Sequence, residues 1–295
     1  MTTSSYTLTL PDIVVLLDAF NLPSLLGIGA TPFEDIAEEC QKHLKENAFL
    51  NLLARNLLSL SGVLSPEQRA LYRMLRIGAF PDSRLGTLLV DRRGEQDRFA
   101  FVYYYITQDG IVSHQVASPF FLHELTMLSS LEEVAQPLLD VLLKYAAQTE
   151  QDNVTNRAFE KRLAQQTLQQ ALSAHKEGQT QEAVGLLSEQ MPEDLAVELL
   201  QSWNSRPLEV VLNVEFSAIP LWPQKPFTFQ PDESLTLKIG AKDVIVLEES
   251  TSLGEEVHIS ITSLQEALAR VQNALHKLYA SYEPQDEIQE ASGQA

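Results

Sequence analysis

The sequence is short of cysteine and of long apolar runs. Cys40 is the only cysteine among 295 residues, which excludes an intrachain disulfide framework and any metal site built from several cysteines. No stretch approaches the ~18 uninterrupted apolar residues of a membrane-spanning helix, and residues 1–6 lack the basic start and apolar core of a signal peptide. We therefore expect a cytoplasmic protein that does not bind membranes.

Basic residues are also few. The 21 Lys and Arg stand against 40 Asp and Glu, which gives a formal net charge of −19. Such a charge repels phosphate backbones, and no local cluster of basic residues offsets it, so we expect no nucleic-acid partner. With 44% hydrophobic residues the chain can still build cores, and its length predicts two domains of about 150 residues.

Motifs of catalysis and metal binding are missing as well. There is no G-x-S-x-G, P-loop, G-x-G-x-x-G or H-E-x-x-H pattern, and no two of the six histidines lie three to five residues apart, as zinc ligands on a helix do. We therefore expect no catalytic residue, no metal and no cofactor. His123 and His258 stand apart because each lies on the strand before a closing helix, where a pseudo-symmetric fold would place them in related positions.

Helical periodicity dominates the first eighty residues, and strands follow. Thr31-x-x-Glu34 and Ser65-x-x-Gln68 have the pattern of capping boxes, which mark helix starts. After the first of them Ile36, Cys40 and Leu44 share a helical face, so we expect Cys40 to lie in the core and to be inert. Apolar and β-branched runs predict strands at 85–91, 99–107, 111–117 and 120–127, followed by a helix capped by Ser130.

The second half repeats this order. Helical periodicity covers 157–176, 180–190 and 192–203, strands are predicted at 208–216, 234–239, 243–248 and 256–261, and Ser263-x-x-Glu266 caps a last helix. The fold class is therefore α+β: two similar halves, each an antiparallel β-meander packed with helices, related by a pseudo-twofold axis.

A polar stretch at 147–156 is the best linker candidate and divides the chain almost in half. We accordingly place the first unit at 1–150 and the second at 151–281. Residues 282–295 have four acids and no base, which predicts an acidic disordered tail.

Two segments provide candidate partner-binding residues. The first is a charged tip between two strands, because exposed tips on rigid sheets are where binding residues concentrate. The second is the strip 219–229, whose prolines block strand pairing while its aromatics require burial; it is either clamped onto its own domain or a contact surface. The candidates are Arg92, Arg93, Glu95, Asp97, Arg98, Trp222 and Phe227.

The first half resembles a known family. Its motifs Leu22-Pro23, Leu53-Ala54-Arg55-Asn56-Leu57-Leu58, Gly62-Val63-Leu64-Ser65-Pro66 and Phe80-Pro81-Asp82 are similar to those of the EspG-like family. Members of that family are cytoplasmic chaperones of mycobacterial type VII secretion. The resemblance implies two pseudo-twofold related α+β halves and binding without catalysis. In that mode the apolar tip of a helical PE–PPE substrate is held against the sheet and a helical bundle.

The sequence thus supports one principal hypothesis and two alternatives. The principal hypothesis is a non-catalytic cytoplasmic chaperone or adaptor that binds a helical partner protein through the meander and the charged tip. The first alternative is a small-molecule-binding protein or enzyme with a site in the groove between the halves, using His123 and His258. The second is a structural homo-oligomer, such as a homodimer.

Overall fold

The computed structural model describes residues 4–25, 28, 33, 35–61, 63–94, 96–117, 122–130, 132–148, 159–203, 206–216, 231–240 and 243–282. The proposed linker and tail lie outside these residues, apart from 147–148 and 282, which end two helices. The strip 219–229 lies outside them entirely.

The first half begins with a strand and three helices, continues with four strands and closes with a helix. Its elements are β1 Ser5–Thr9, α1 Leu10–Phe20, α2 Glu38–Ala54, α3 Pro66–Ala79, β2 Ser83–Asp91, β3 Arg98–Thr107, β4 Gly110–Ala117, β5 Leu122–Leu128 and α4 Glu132–Gln148.

The second half has the same element order, with one additional 3-10 turn at Thr251–Leu253. Its elements are β6 Phe159–Ala164, α5 Gln165–Lys176, α6 Thr180–Ser188, α7 Glu193–Ser202, β7 Leu208–Glu215, β8 Glu233–Ile239, β9 Val244–Ser250, β10 Glu256–Thr262 and α8 Leu264–Tyr282.

The ten strands form one antiparallel sheet in the order β1-β5-β4-β3-β2-β7-β8-β9-β10-β6. From the centre outward, the two halves therefore use corresponding strands in the same order. They join where β2 pairs with β7, between the residue pairs Arg84–Glu215 and Asp91–Leu208. The structure confirms the α+β class. A twofold axis between β2 and β7 would produce this strand order; that axis and the division at residue 150 stay predictions.

The first face of the sheet carries one core that is shared by both halves. Side chains of β2, β3, β7 and β8, such as Leu85, Tyr104, Leu212 and Leu237, pack there against α4 and α8. Because side chains alternate between faces along a strand, their sequence neighbours point to the second face.

The second face carries two separate bundles. Helices α1 to α3 cover β3, β4 and β5 through buried residues that include Tyr105 and Val112. Helices α5 to α7 cover β9, β10 and β6 through residues that include Leu247 and Ile259. The middle strands β2 and β7 contribute no residue to the buried hydrophobic cluster of either bundle.

Local sequence signals set several of the helix starts. Ser65 accepts a hydrogen bond from the backbone N–H of Gln68 at 3.2 Å, and the Gln68 side chain accepts one from the Ser65 N–H at 2.9 Å. This reciprocal pair is the capping box expected from the sequence. Thr9 and Asp12 form a second capping box at the start of α1.

The structure corrects two expectations for α2. The helix begins at Glu38 with Ala37 as its N-cap, so Thr31 does not start it; Thr31 and Glu34 lie outside the described residues. Cys40 is exposed rather than in the core. The apolar face is buried only further along the helix, at Ala48 and Leu52.

The third correction concerns residues 159–164, which form β6 and not the first turns of a helix. Phe159 and Leu163 are four residues apart, a spacing that puts them on one side of a helix and also on one face of a strand. The segment forms a strand because it pairs with β10, where Leu163 lies opposite Val257.

Candidate functional site

The candidate site is the middle of the second face, between the two bundles, where β2 and β7 belong to neither buried cluster, and we call it the central groove. Its floor is formed by the second-face side chains of β3, β2, β7 and β8. From β3 to β9 there are four strand spacings of ~4.8 Å, which makes the groove roughly 19 Å wide. An α-helix with its side chains is about 10–12 Å in diameter, so the groove can hold one helix or the end of a helical hairpin.

An apolar strip crosses the floor at right angles to the strands. The register places Phe101 of β3, Leu88 of β2 and Val211 of β7 side by side, with Thr236 of β8 next in the row. The three apolar side chains are only half-buried, and none belongs to a buried core cluster. Phe99, two residues before Phe101 on the same face, is 66% exposed.

Aromatic rings continue from the strip along β3. The rings of Phe101 and Tyr103 meet edge to face with their centroids 4.4 Å apart. Edge-to-face contacts of this kind are favourable, so the two rings extend the apolar surface of β3 as one packed pair.

A row of charged side chains borders the strip on the side of the β2–β3 hairpin. Glu209 accepts a hydrogen bond from Arg92 at 3.0 Å and forms an ion pair with Lys238 at 3.1 Å. The Lys238 ammonium also lies 4.5 Å from the centroid of the Trp203 ring. Burial lowers the pKa of Lys238, and Glu209 opposes this change.

Several charged side chains of the hairpin tip pair with one another. Arg92 is 3.6 Å from Asp97, and its backbone N–H donates to the carbonyl of Pro207 across the β2–β7 seam at 2.8 Å. Arg93 binds Asp91 through two hydrogen bonds of 2.8 Å, which lower the pKa of Asp91 to about 2.

Arg98 is exposed, while Glu95, Trp222 and Phe227 lie outside the described residues. Of the seven residues that the sequence indicated as partner-binding, the structure thus brings four together at the tip: Arg92, Arg93, Asp97 and Arg98. Their role in binding stays a prediction.

A second buried ion pair lies on the other side of the apolar strip, away from the β2–β3 hairpin. Arg84, which is 1% exposed, donates to Glu215 at 3.0 Å between the neighbouring strands β2 and β7. Burial raises the pKa of Glu215, although Arg84 acts in the opposite direction. Ion pairs across the seam therefore flank the apolar strip on both sides.

The two singled-out histidines are far apart. His123 lies on β5 and His258 on β10, which are separated by seven strand spacings, or roughly 34 Å. A single site therefore cannot use both histidines, while a small-molecule site in the groove between the halves stays a prediction.

Each histidine has its own surroundings. His123 is buried in the first bundle, where its Nδ1 lies 2.9 Å from Nε2 of His114. His258 lies between Glu248, at 2.8 Å from Nδ1, and Glu160, at 3.1 Å from Nε2.

A cavity of about 340 Å³ lies beside α8 in the second half, and neither histidine lines it. It contains Arg270 and Lys277 together with the carboxylates that pair with them, Glu248 and Glu233. Among the described residues there is no group of three or more His, Cys, Asp or Glu that could hold a metal ion. None of the helices in the described ranges is long and apolar enough to cross a bilayer.

The apolar strip and the pair Glu209–Lys238 were not predicted from the sequence. The sequence did contain one signal for the strip, the adjacent residues Leu88 and Leu89. Neighbouring residues of a strand point to opposite faces, so this pair indicates an apolar side chain on each face of β2. Only the register shows that Leu88 and Val211 are neighbours.

Comparison with solved structures gives a similarity that covers nearly the whole chain. Over 97% of its length the chain matches 99% of the Mycobacterium tuberculosis type VII secretion system chaperone EspG5, solved in complex with a PE25–PPE41 dimer, at a TM-score of 0.58 and 12% sequence identity. No protein-family model and no curated protein sequence matches the chain. The protein therefore has the fold of an EspG-like chaperone.

Proposed function

We propose that the protein is a non-catalytic cytoplasmic chaperone or adaptor that binds a helical partner protein in the central groove. The observation that carries this proposal is the half-buried apolar strip of Phe101, Leu88 and Val211 between two helical bundles. A contiguous patch of partly exposed apolar side chains on a protein surface marks a site of interaction with a partner.

The width of the groove and its apolar strip support a helical occupant. Its width suits a helix or a helical hairpin, and the strip offers a narrow apolar contact instead of a deep pocket, the geometry that an amphipathic helix fills. The fold shared with EspG5, whose structure contains a PE25–PPE41 dimer, supports a secretion substrate of that kind as the partner.

The charged groups of the described floor support binding without a chemical step. Arg84 is paired with Glu215, and Glu209 is shared by Arg92 and Lys238. Ion pairs across a seam hold strands in register, whereas a catalytic acid or base needs a group positioned to reach a substrate. The groove therefore acts by shape and apolar contact.

Photo-crosslinking in the native host tests this function. A photoreactive phenylalanine analogue at Val211 is expected to form a covalent adduct with one defined protein. The same analogue at Leu60, which is 79% exposed outside the groove, serves as the control and is expected to give none. No adduct at Val211, or the same adducts at both positions, would refute the groove as the binding site.

A further inference from the structure

The two outer edges of the sheet differ, although the two halves repeat the same order of elements. Strand β1 forms one edge and β6 the other. An edge strand exposes backbone N–H and C=O groups that can pair with another chain, so proteins usually cover or obstruct such edges.

The β1 edge is covered by side chains of its own half. The Ser4 carbonyl accepts a hydrogen bond from the N–H of Met127 on β5. Because hydrogen bonding to one neighbouring strand alternates along an antiparallel strand, Thr7 and Thr9, an odd number of residues further on, point their N–H and C=O groups away from β5. Arg55 donates to the Thr7 carbonyl at 2.8 Å, and Asp12 accepts from the Thr9 N–H at 3.0 Å. Arg55 and Asp12 are also 3.5 Å apart, which holds this cover in place.

The β6 edge has no such cover among the described residues. The Gln165 N–H donates a hydrogen bond to the Glu255 carbonyl. Since every second residue of an antiparallel strand bonds to the same neighbour, Phe159, Lys161 and Leu163 are the residues of β6 that bond to β10. The N–H and C=O groups of Glu160 and Arg162 consequently point outward. Within the described ranges no side chain bonds to them.

The β6 sequence is complementary to itself. When two copies of Phe159-Glu160-Lys161-Arg162-Leu163 run antiparallel and are centred on Lys161, Glu160 lies opposite Arg162 twice and Phe159 lies opposite Leu163 twice. The two outward-facing residues then form hydrogen-bonded pairs with opposite charges, the favourable cross-strand combination. Only Lys161 meets its own copy, a like-charge contact that lowers the affinity.

Glu160 and Arg162 are available for these contacts. The Glu160 side chain is 62% exposed, and its contacts with His258 and Arg270 both use Oε1, so Oε2 faces no described partner. Arg162 is exposed and forms no ion pair with any described residue.

We propose that β6 is a self-association edge, through which two copies of this chain pair antiparallel into an isologous dimer with a continuous sheet. A contact of one five-residue strand is small, so the dimer is weak and depends on concentration. The edge lies at the end of the sheet, away from the central groove, so a dimer leaves both grooves open. This proposal does not depend on the proposed function.

Sedimentation velocity and light scattering over a wide concentration range test the proposal. The wild-type mass is expected to rise from that of one copy, 33.0 kDa, towards twice that value. Arg162→Pro removes an outward N–H without touching the β10 ladder, and Arg162→Glu places like charges opposite each other; both are expected to stay monomeric. Lys161→Thr removes the like-charge contact and is expected to shift the half-dimer concentration downward several-fold.

The matched control is Ser5→Pro, which removes an outward N–H at the opposite edge and is expected to leave dimerisation unchanged. Far-ultraviolet circular dichroism and Tm confirm that each variant is folded. Three results would each overturn the proposal: a wild-type chain that stays monomeric at every concentration, a folded Arg162→Pro variant that still dimerises, or a Lys161→Thr variant with unchanged or weaker association.

Discussion

His114 and His123 form a buried pair in the first bundle that makes the fold sensitive to acid. His114 is fully buried, Tyr105 Oη lies 3.0 Å from its Nδ1, and the two imidazole rings stack with centroids 5.1 Å apart. Burial, assisted by the neighbouring His123, lowers the pKa of His114 to about 3, and burial also lowers the pKa of His123. Both rings are therefore neutral in the folded protein at neutral pH.

The pair predicts a loss of stability in mild acid. A histidine in the unfolded chain titrates near 6.5, so between that pH and the lowered pKa the unfolded state binds more protons than the folded one. Stability is thus intact above about pH 6.5, and His114 alone costs about 1.4 kcal/mol for each pH unit below it. Urea unfolding at pH 7.5 and pH 5 measures this loss.

The exposed His43 provides the control for this prediction. Its side chain is 66% exposed, so His43→Gln is expected to keep the pH dependence of the wild type, whereas His123→Leu should make it shallower. An unfolding free energy that is the same at pH 7.5 and pH 5 in the wild type would contradict the neutral pair.

Glu209 holds two cations at the seam between the halves. Its neighbour Lys238 is 95% buried, so Glu209→Gln leaves Lys238 without its carboxylate partner and leaves Arg92 paired only with Asp97, at 3.6 Å. We expect a loss of about 2–4 kcal/mol in the free energy of unfolding. Glu46→Gln, which breaks only exposed pairs, should change it by less than about 0.5 kcal/mol.

At the scale of elements, the start of α3 depends on one hydroxyl group. Ser65→Ala removes the acceptor for the Gln68 N–H and is expected to destabilise the protein by about 1 kcal/mol in chemical denaturation. Ser188→Ala, at the exposed end of α6, is the matched control and should have almost no effect. Equal effects at the two positions would show that the cap contributes nothing.

The elements that sequence patterns predict well are those fixed by near neighbours. The capping box Ser65–Gln68 involves two residues three positions apart, and it occurs in the structure. Residues 159–164 were predicted wrongly because the spacing of Phe159 and Leu163 satisfies both a helix and a strand. Cys40 was predicted wrongly because a periodic pattern of apolar residues does not show how much of a helical face other elements cover.

At the scale of the whole molecule, the repeated order of helices and strands could be predicted, but the groove could not. Alternation along β2 and β7 indicates which residues share a face, yet only the pairing of Leu88 with Val211 creates the apolar strip. That pairing joins the two halves, and no local pattern specifies it. The charged hairpin, in contrast, was recognisable from the sequence as an exposed tip. The sequence did not show that Arg92 pairs with Asp97 and Arg93 with Asp91.

The central claim is that the groove between the bundles binds a helical partner. The most direct test is co-purification from the native host of the wild-type chain, of Leu88→Arg in the strip, and of Leu60→Arg on the exposed surface outside it. We predict that the wild type and Leu60→Arg recover the same helical protein in stoichiometric amount and that Leu88→Arg, folded by circular dichroism, loses it. Recovery of that protein by Leu88→Arg, or purification of the wild-type chain alone, would contradict the account.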